Sequence, residues 1–454
     1  MAERMALLAV VAGLTAAFAD PATAQSPIPP ARDARVFGLV EAVSAARIER
    51  DVRTLVGFGT RHTLSDTLSP TRGIGAARRW IKAEFDSISA ACGGCLEVSY
   101  QRAMISGEDR IPDSTWVVSV VAVLRGEAEP DRYVIMTGDI DSRVSDVMNA
   151  SDSSPGANDN ASGMAGVLEA ARVITSSDDR FPASIVFAGL AGEEQGLYGG
   201  ARMAEIAREE GWRIEAVLNN DMIGNIEGVD GVTDDGTTRV FSESPPAGSS
   251  EEDLRRMRFF GGEVDGPSRQ LARYVDRIAD LYLRNLDVIM IYRLDRFGRG
   301  GHHRPFNDAG FPAVRIMETH ENYTRQHQDV RVEDGIAYGD VIEGVDFDYA
   351  AKLTGLNVAI LSSLAWAPAP PDSVTIGGAV EPAARLAWSP VPDAVGYKVY
   401  WRETTSPTWD RWIWVEDATE ATMTGLVVDN YFFGVASVSA GGNESPVAFP
   451  SPAR

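Results

Sequence analysis

Only 2 of the 454 residues are cysteine and only 5 are histidine. So few cysteines exclude a fold stapled by several disulfides. So few histidines exclude a histidine-rich metal cluster, and any metal centre has to be built mostly from carboxylates. Basic residues are also in the minority: 42 Lys and Arg stand against 65 Asp and Glu, a formal charge of −23. A chain this acidic repels phosphate backbones and anionic lipid, which argues against nucleic acid and membrane surfaces as partners. No segment reaches the roughly 18 apolar residues needed to span a bilayer. What is present, 44% apolar and 24% charged residues over this length, predicts a globular protein of two or three domains with at least one large core.

Residues 1–24 read as a cleaved secretory signal. Arg4 precedes an apolar run over residues 5–19, and Ala22-Thr23-Ala24 before Gln25 has the small-x-small form of a cleavage site. A secreted or periplasmic location follows. There, Cys92-Gly93-Gly94-Cys95 is expected to close as a small local disulfide, because no second cysteine pair or nearby histidine completes a zinc site. Residues 25–366 form the expected main domain. Ala367-Pro368-Ala369-Pro370-Pro371 then reads as a stiff linker, and residues 372–454 as an appended module of short alternating strands, among them 397–401 and 431–435.

The main domain alternates strands and helices. Apolar, β-branched runs at 116–124, 133–136, 184–187, 215–218, 288–291 and 312–317 read as strands. Met164, Val167, Leu168, Ala171 and Ile174 recur at helical spacing after Ser162, and 198–210 and 267–283 are further helices. This alternation predicts an α/β fold, a mostly parallel sheet sandwiched by helices, with ligands beyond the carboxyl ends of the strands. Residues 229–266, rich in Gly, Asp, Glu and Ser, read as a mobile insertion at the rim of a cleft.

The strand ends are where the acidic residues collect. Gly138-Asp139-Ile140-Asp141, the loop Pro155 to Gly163 with Asp159, Ala191-Gly192-Glu193-Glu194-Gln195-Gly196-Leu197 and Asn219-Asn220-Asp221-Met222 follow one another, and Gly301-His302-His303-Arg304-Pro305-Phe306 comes later. Carboxylates gathered at one edge repel each other unless cations neutralise them. A pair of divalent ions about 3.5–4 Å apart does so and suits hydrolysis. A neighbouring carboxylate that binds no metal can then take a proton from water and pass it to a leaving amine. Glu193-Glu194 offers that division of labour. Each motif alone is ordinary surface charge; their order and common position carry the argument.

In combination these motifs resemble the cocatalytic zinc aminopeptidases of metallopeptidase family twenty-eight, clan MH, over residues 50–365 or so. The resemblance implies a phosphorylase/hydrolase-like α/β sandwich. It implies two divalent metal ions, bridged by Asp159, with Asp139 and Asp221 on the first and Glu194 and His303 on the second. Glu193 would be the general base, Asp141 would orient the first ligand, and Asp159-Asn160 would be a cis peptide. His302 would be a hydrogen-bonding neighbour or a donor to the substrate oxyanion. One departure stands out: family members carry histidine where this chain has Asp139, and an all-oxygen first site is less selective for zinc. His62, His320 and His327 read as structural.

Residues 372–454 resemble a fibronectin type III domain, a small immunoglobulin-like β-sandwich. Trp409, Trp412 and Trp414 are expected either to pack or to form a patch that binds protein or polymer surface. The function implied is a secreted metal-dependent aminopeptidase acting on peptide or protein substrates. Two alternatives stand beside it: a single-zinc glutaminyl-cyclase-like aminoacyltransferase using Asp159, Glu194 and His303, and a catalytically decayed scaffold that binds a partner through its sandwich.

Overall fold

In the computed structural model, which describes residues 28–453, the apolar runs of the main domain line up as one eight-stranded sheet. The expected signal segment, residues 1–24, lies outside the described residues. In chain order the strands are β1 (Leu96–Ile105), β2 (Thr115–Leu124), β3 (Glu129–Asp139), β4 (Ala183–Leu190), β5 (Arg213–Asn220), β6 (Thr237–Phe241), β7 (Asp287–Ile291) and β8 (Ala313–Glu318). In space they run β1-β2-β4-β3-β5-β8-β6-β7. The central four, β4-β3-β5-β8, are parallel, as is the β6-β7 pair. The β1-β2, β2-β4 and β8-β6 pairs are antiparallel, so the sheet is mixed.

Helices cover both faces because the central strands are apolar on both. Successive side chains of a strand point to opposite sides. Val134 and Met136 of β3 and Ile185 and Phe187 of β4 therefore join one core, with helices Gly163–Thr175 and Phe347–Trp366. Tyr133, Ile135, Val186 and Ala188 join the other, with Met203 and Ala207 of helix Tyr198–Glu209 and with Phe306. Helix Phe347–Trp366 is buried along nearly all its length, and Asp346 caps it by accepting from Tyr349 N at 2.8 Å. Cys92 and Cys95 are disulfide-bonded in the turn between helix Gly73–Ala91 and β1, as expected.

The structure differs from one sequence expectation. Residues 229–266 are more than a mobile insertion, because they supply β6, held between β8 and β7 with Val240 fully buried. A five-residue strand flanked by Gly- and Asp-rich turns is swamped in a composition count. Ser242 and Asp265 of the segment are buried too, whereas helix Glu251–Phe260 buries none of its residues.

The C-terminal part forms two further sheets. A short hairpin, β9 (Arg331–Glu333) and β10 (Ile336–Tyr338), precedes it. Beyond the last helix, β11 (Thr375–Gly377), β12 (Ala383–Ala387), β15 (Glu420–Thr424) and β17 (Ser451–Pro452) form one sheet, and β13 (Gly396–Glu403), β14 (Arg411–Val415) and β16 (Tyr431–Val438) another. Leu386, Trp388, Tyr397, Val399, Phe433 and Val435 make a common core for the two sheets. The stiff linker expected at residues 367–371 is tied to both sides. Ala367 O accepts from Arg132 Nη2 at 2.8 Å, and Ala369 O from Ser437 Oγ at 2.6 Å.

Buried charges fasten the junction. Asp265 of the main domain accepts from Arg273 at 2.9 Å and from Arg402 of β13 at 2.7 Å. Glu444 meets Arg277 and Lys398, each at 2.7 Å. Trp409 Nε1 donates to Gln270 Oε1 at 2.9 Å, so this tryptophan belongs to the junction, while Trp412 is exposed. Asp265→Ala leaves Arg273 and Arg402 buried without their counter-charge and is expected to cost about 3–5 kcal/mol. Chemical denaturation measures it; a loss below about 1 kcal/mol, as at a surface pair, would show that these ions do not fasten the two parts.

Candidate metal centre

The parallel strands deliver the candidate residues to one edge. β3 ends at Asp139, β4 runs into Glu193 and Glu194, and β5 runs into Asp221. β8 runs into the loop that carries His327. Asp159 comes from the kinked segment before helix Gly163–Thr175, in which Asp159-Asn160 is cis, as the resemblance implied. That segment reaches the sheet edge because Gly138 has no side chain: a Cβ there would lie 2.7 Å from the Gly163 carbonyl carbon. Asp340 holds the segment from outside, accepting from Asn158 N at 2.9 Å and Asp159 N at 2.7 Å. Arg61, fully buried, ties the loop after β3 to the same segment by donating to Ile140 O, Pro155 O and Gly156 O.

In the lining of a cavity of about 1120 Å³, one imidazole and two carboxylates converge. His327 Nε2 lies 2.9 Å from Asp159 Oδ2 and 3.0 Å from Glu194 Oε1. Among the described residues these three form the group whose ligand atoms all fall within 4.8 Å of one another. Glu194 Oε1 is buried without a well-aligned hydrogen bond. Two oxygens and one nitrogen with an open side are the donor set of a catalytic zinc site, so these residues fit a divalent ion. Arg143 backs the group: its Nε donates to Glu194 Oε2 at 2.8 Å, and its Nη2 lies 2.6 Å from His327 Nδ1. Glu193 lines the same cavity.

His303, the imidazole the sequence reading assigned to this group, is elsewhere. Its Nε2 lies 2.8 Å from Leu294 O and 3.4 Å from Asp295 Oδ2, and Asn219 Oδ1 accepts from its backbone N–H at 3.2 Å. His303 is thus committed to the shell beneath β5, and His327 takes the place beside Asp159 and Glu194. Asp141 does not orient Asp139. It accepts from the backbone N–H groups of Glu193 and Glu194, at 3.2 and 3.1 Å, and from Thr63 Oγ1 at 3.1 Å, so it fixes the turn that presents both glutamates. His302 is fully buried 3.6 Å from Asp139 Oδ1, and its Nδ1 accepts from Gly200 N, which leaves it a neighbour of Asp139 rather than a donor to substrate.

Asp139 and Asp221 are not gathered with Asp159. Asp139 Oδ2 accepts from Asn160 Nδ2 at 2.7 Å. Asp221 Oδ2 lies 2.8 Å from Nη2 of Arg315, a fully buried guanidinium of β8.

Charge follows geometry. Burial pushes the Asp159 and Glu194 carboxyls up, but His327 beside them holds both below the usual range. Burial likewise pushes His327 down, and Glu194 and Asp159 draw it up to about 9. Glu193 has no such counterpart. Burial, then Glu194, Asp221 and Asp139, push its carboxyl well above the ordinary value, against Arg315. Burial raises Asp221 to about 7, opposed first by Arg315. Raised proton affinity suits Glu193 to accepting a proton from water and releasing it again.

The sequence reading missed three contributors: His327, Arg143 and Arg315. A signal for the first was present, since ligands of a parallel sheet come from loops that follow strands, and His327 follows β8 whereas His303 precedes it. Nothing comparable marks the arginines.

Comparison with known proteins agrees with this architecture. The profile of Peptidase family M28 matches residues 119–334. A protein of Leptosphaeria maculans named "Probable zinc metalloprotease" is 42% identical, over 93% of this chain and 98% of its own length. One of Pyricularia oryzae with the same name is 43% identical, over 92% and 85%. Among solved structures, the LapA aminopeptidase of Legionella pneumophila shares the fold, with a TM-score of 0.53 and 20% identity over 76% of this chain and 78% of that one. A matched profile across the catalytic motifs and near full-length relatives lead to one conclusion: the chain belongs to peptidase family M28.

Proposed function

We propose that this chain is an exported zinc-dependent aminopeptidase, hydrolysing N-terminal bonds of peptides with Glu193 as general base. The observation that carries the reading is the convergence of Asp159, Glu194 and His327 in one cavity that Glu193 also lines. Zinc held there supplies Lewis acidity toward a scissile carbonyl and lowers the pKa of water. Glu193 takes the proton of the attacking water and hands it to the leaving amine. Asp141 keeps Glu193 and Glu194 in register through their backbone N–H groups. Arg143 holds Glu194 in place. The names of the fungal relatives support zinc and proteolysis, and that of the LapA structure agrees with aminopeptidase specificity.

A two-ion version of this reading needs Asp139 and Asp221 to share a second ion with Asp159, and Asp221 faces Arg315 instead. The test of function is a peptide screen with chelation and zinc add-back. Free N-terminal peptides are expected to lose residues one at a time, N-acetylated ones to stay intact, and chelation to stop the reaction until zinc is restored. Cyclisation of N-terminal glutamine without release of an amino acid would instead establish the aminoacyltransferase reading.

A further inference from the structure

Resting on the metal site proposed above, we infer that this chain binds one catalytic zinc, and that the Arg315 guanidinium permanently occupies the role of a second ion at Asp221. Several contacts lead there. Arg315 is fully buried in the central strand β8. Its Nη2 lies 2.8 Å from Asp221 Oδ2, while Nη1 is anchored to Asp295 Oδ2 at 3.0 Å and to Gly300 O at 2.8 Å. Nη1 anchors the guanidinium, and full burial leaves it little room to swing away from Asp221 for an incoming ion. A divalent ion on Asp221 would sit within a few ångströms of a fixed positive charge in a water-poor interior, where like charges repel strongly.

The ligands of such a site are also not assembled. Zinc needs several donor atoms within about 2.0–2.3 Å of one point, hence close to one another. Among the described residues, Asp139 and Asp221 enter no such group with a third ligand. Asp139 is turned to Asn160, with Oδ1 near His302. The positive charge beside Asp221 is the Arg315 guanidinium, which Asp221 shares with Asp295. Arg315 does not line the cavity, so it is a positioning residue: it fixes Asp221, which does.

The test is metal stoichiometry of the full chain. Protein stripped by chelation, exposed to excess zinc and desalted is expected to retain one zinc per chain by plasma mass spectrometry. Zinc-soaked crystals are expected to show one anomalous peak, between Asp159, Glu194 and His327. Two retained ions, or a peak between Asp139 and Asp221, overturn the inference and leave the peptidase reading standing; no retained zinc overturns both. In Arg315→Met the count is expected to rise from one to two, and a count that stays at one removes Arg315 from this role. If that variant does not fold, the stoichiometry and peak position of the unsubstituted chain decide alone.

Discussion

Glu193→Gln is expected to lower kcat by about 10²–10⁴-fold, the usual contribution of a positioned acid–base group, with zinc content and fold unchanged. The amide keeps the shape of the side chain and loses its ability to take a proton. Because Glu193 lines the cavity but stands outside the trio around His327, its loss separates proton transfer from metal binding. KM should change little, because Glu193 is assigned no part in holding the ground-state substrate. Retained turnover would remove Glu193 from the mechanism, and loss of zinc along with turnover would make it a ligand.

The sheet was legible in the sequence where burial on both faces wrote itself as unbroken apolar runs. β2, β4 and β8 coincide with such runs to within two or three residues at either end, and the helix after Ser162 begins at Gly163. β1 and β6 were not legible. β1 has a half-exposed surface of mixed polarity, with no run to mark it, and β6 is short and sits among turn residues. In the site, Asp159, Glu193 and Glu194 could be read because each lies within a few residues of an element end, where local spacing fixes position. The third member of the trio could not be fixed that way. The loop from Glu318 to Arg331 has no regular element to set its register, so His327 reaches Asp159 only through the tertiary path of that loop. His303 beside Phe306 offered a tidier motif and a wrong place.

The fastening of the C-terminal sheets was equally invisible. Asp265 and Arg402 are 137 residues apart and ordinary in local context, yet they meet as buried partners. A proline-rich stretch says that the chain changes direction, not whether the two sides touch. Arg315 illustrates the same limit: an arginine in an apolar strand looks like an edge residue, and only the pairing of β8 between β5 and β6 places it at the centre of the sheet.

A paired substitution decides which histidine completes the metal group. His327→Ala is expected to lose bound zinc and, with it, peptidase activity by at least about 10²-fold, an open zinc site with two carboxylates left being a poor trap for the ion. His303→Ala, measured per folded chain by circular dichroism, is expected to keep its zinc. Zinc retained in His327→Ala and lost in folded His303→Ala would contradict the account and return the centre to the ligand set read from the sequence.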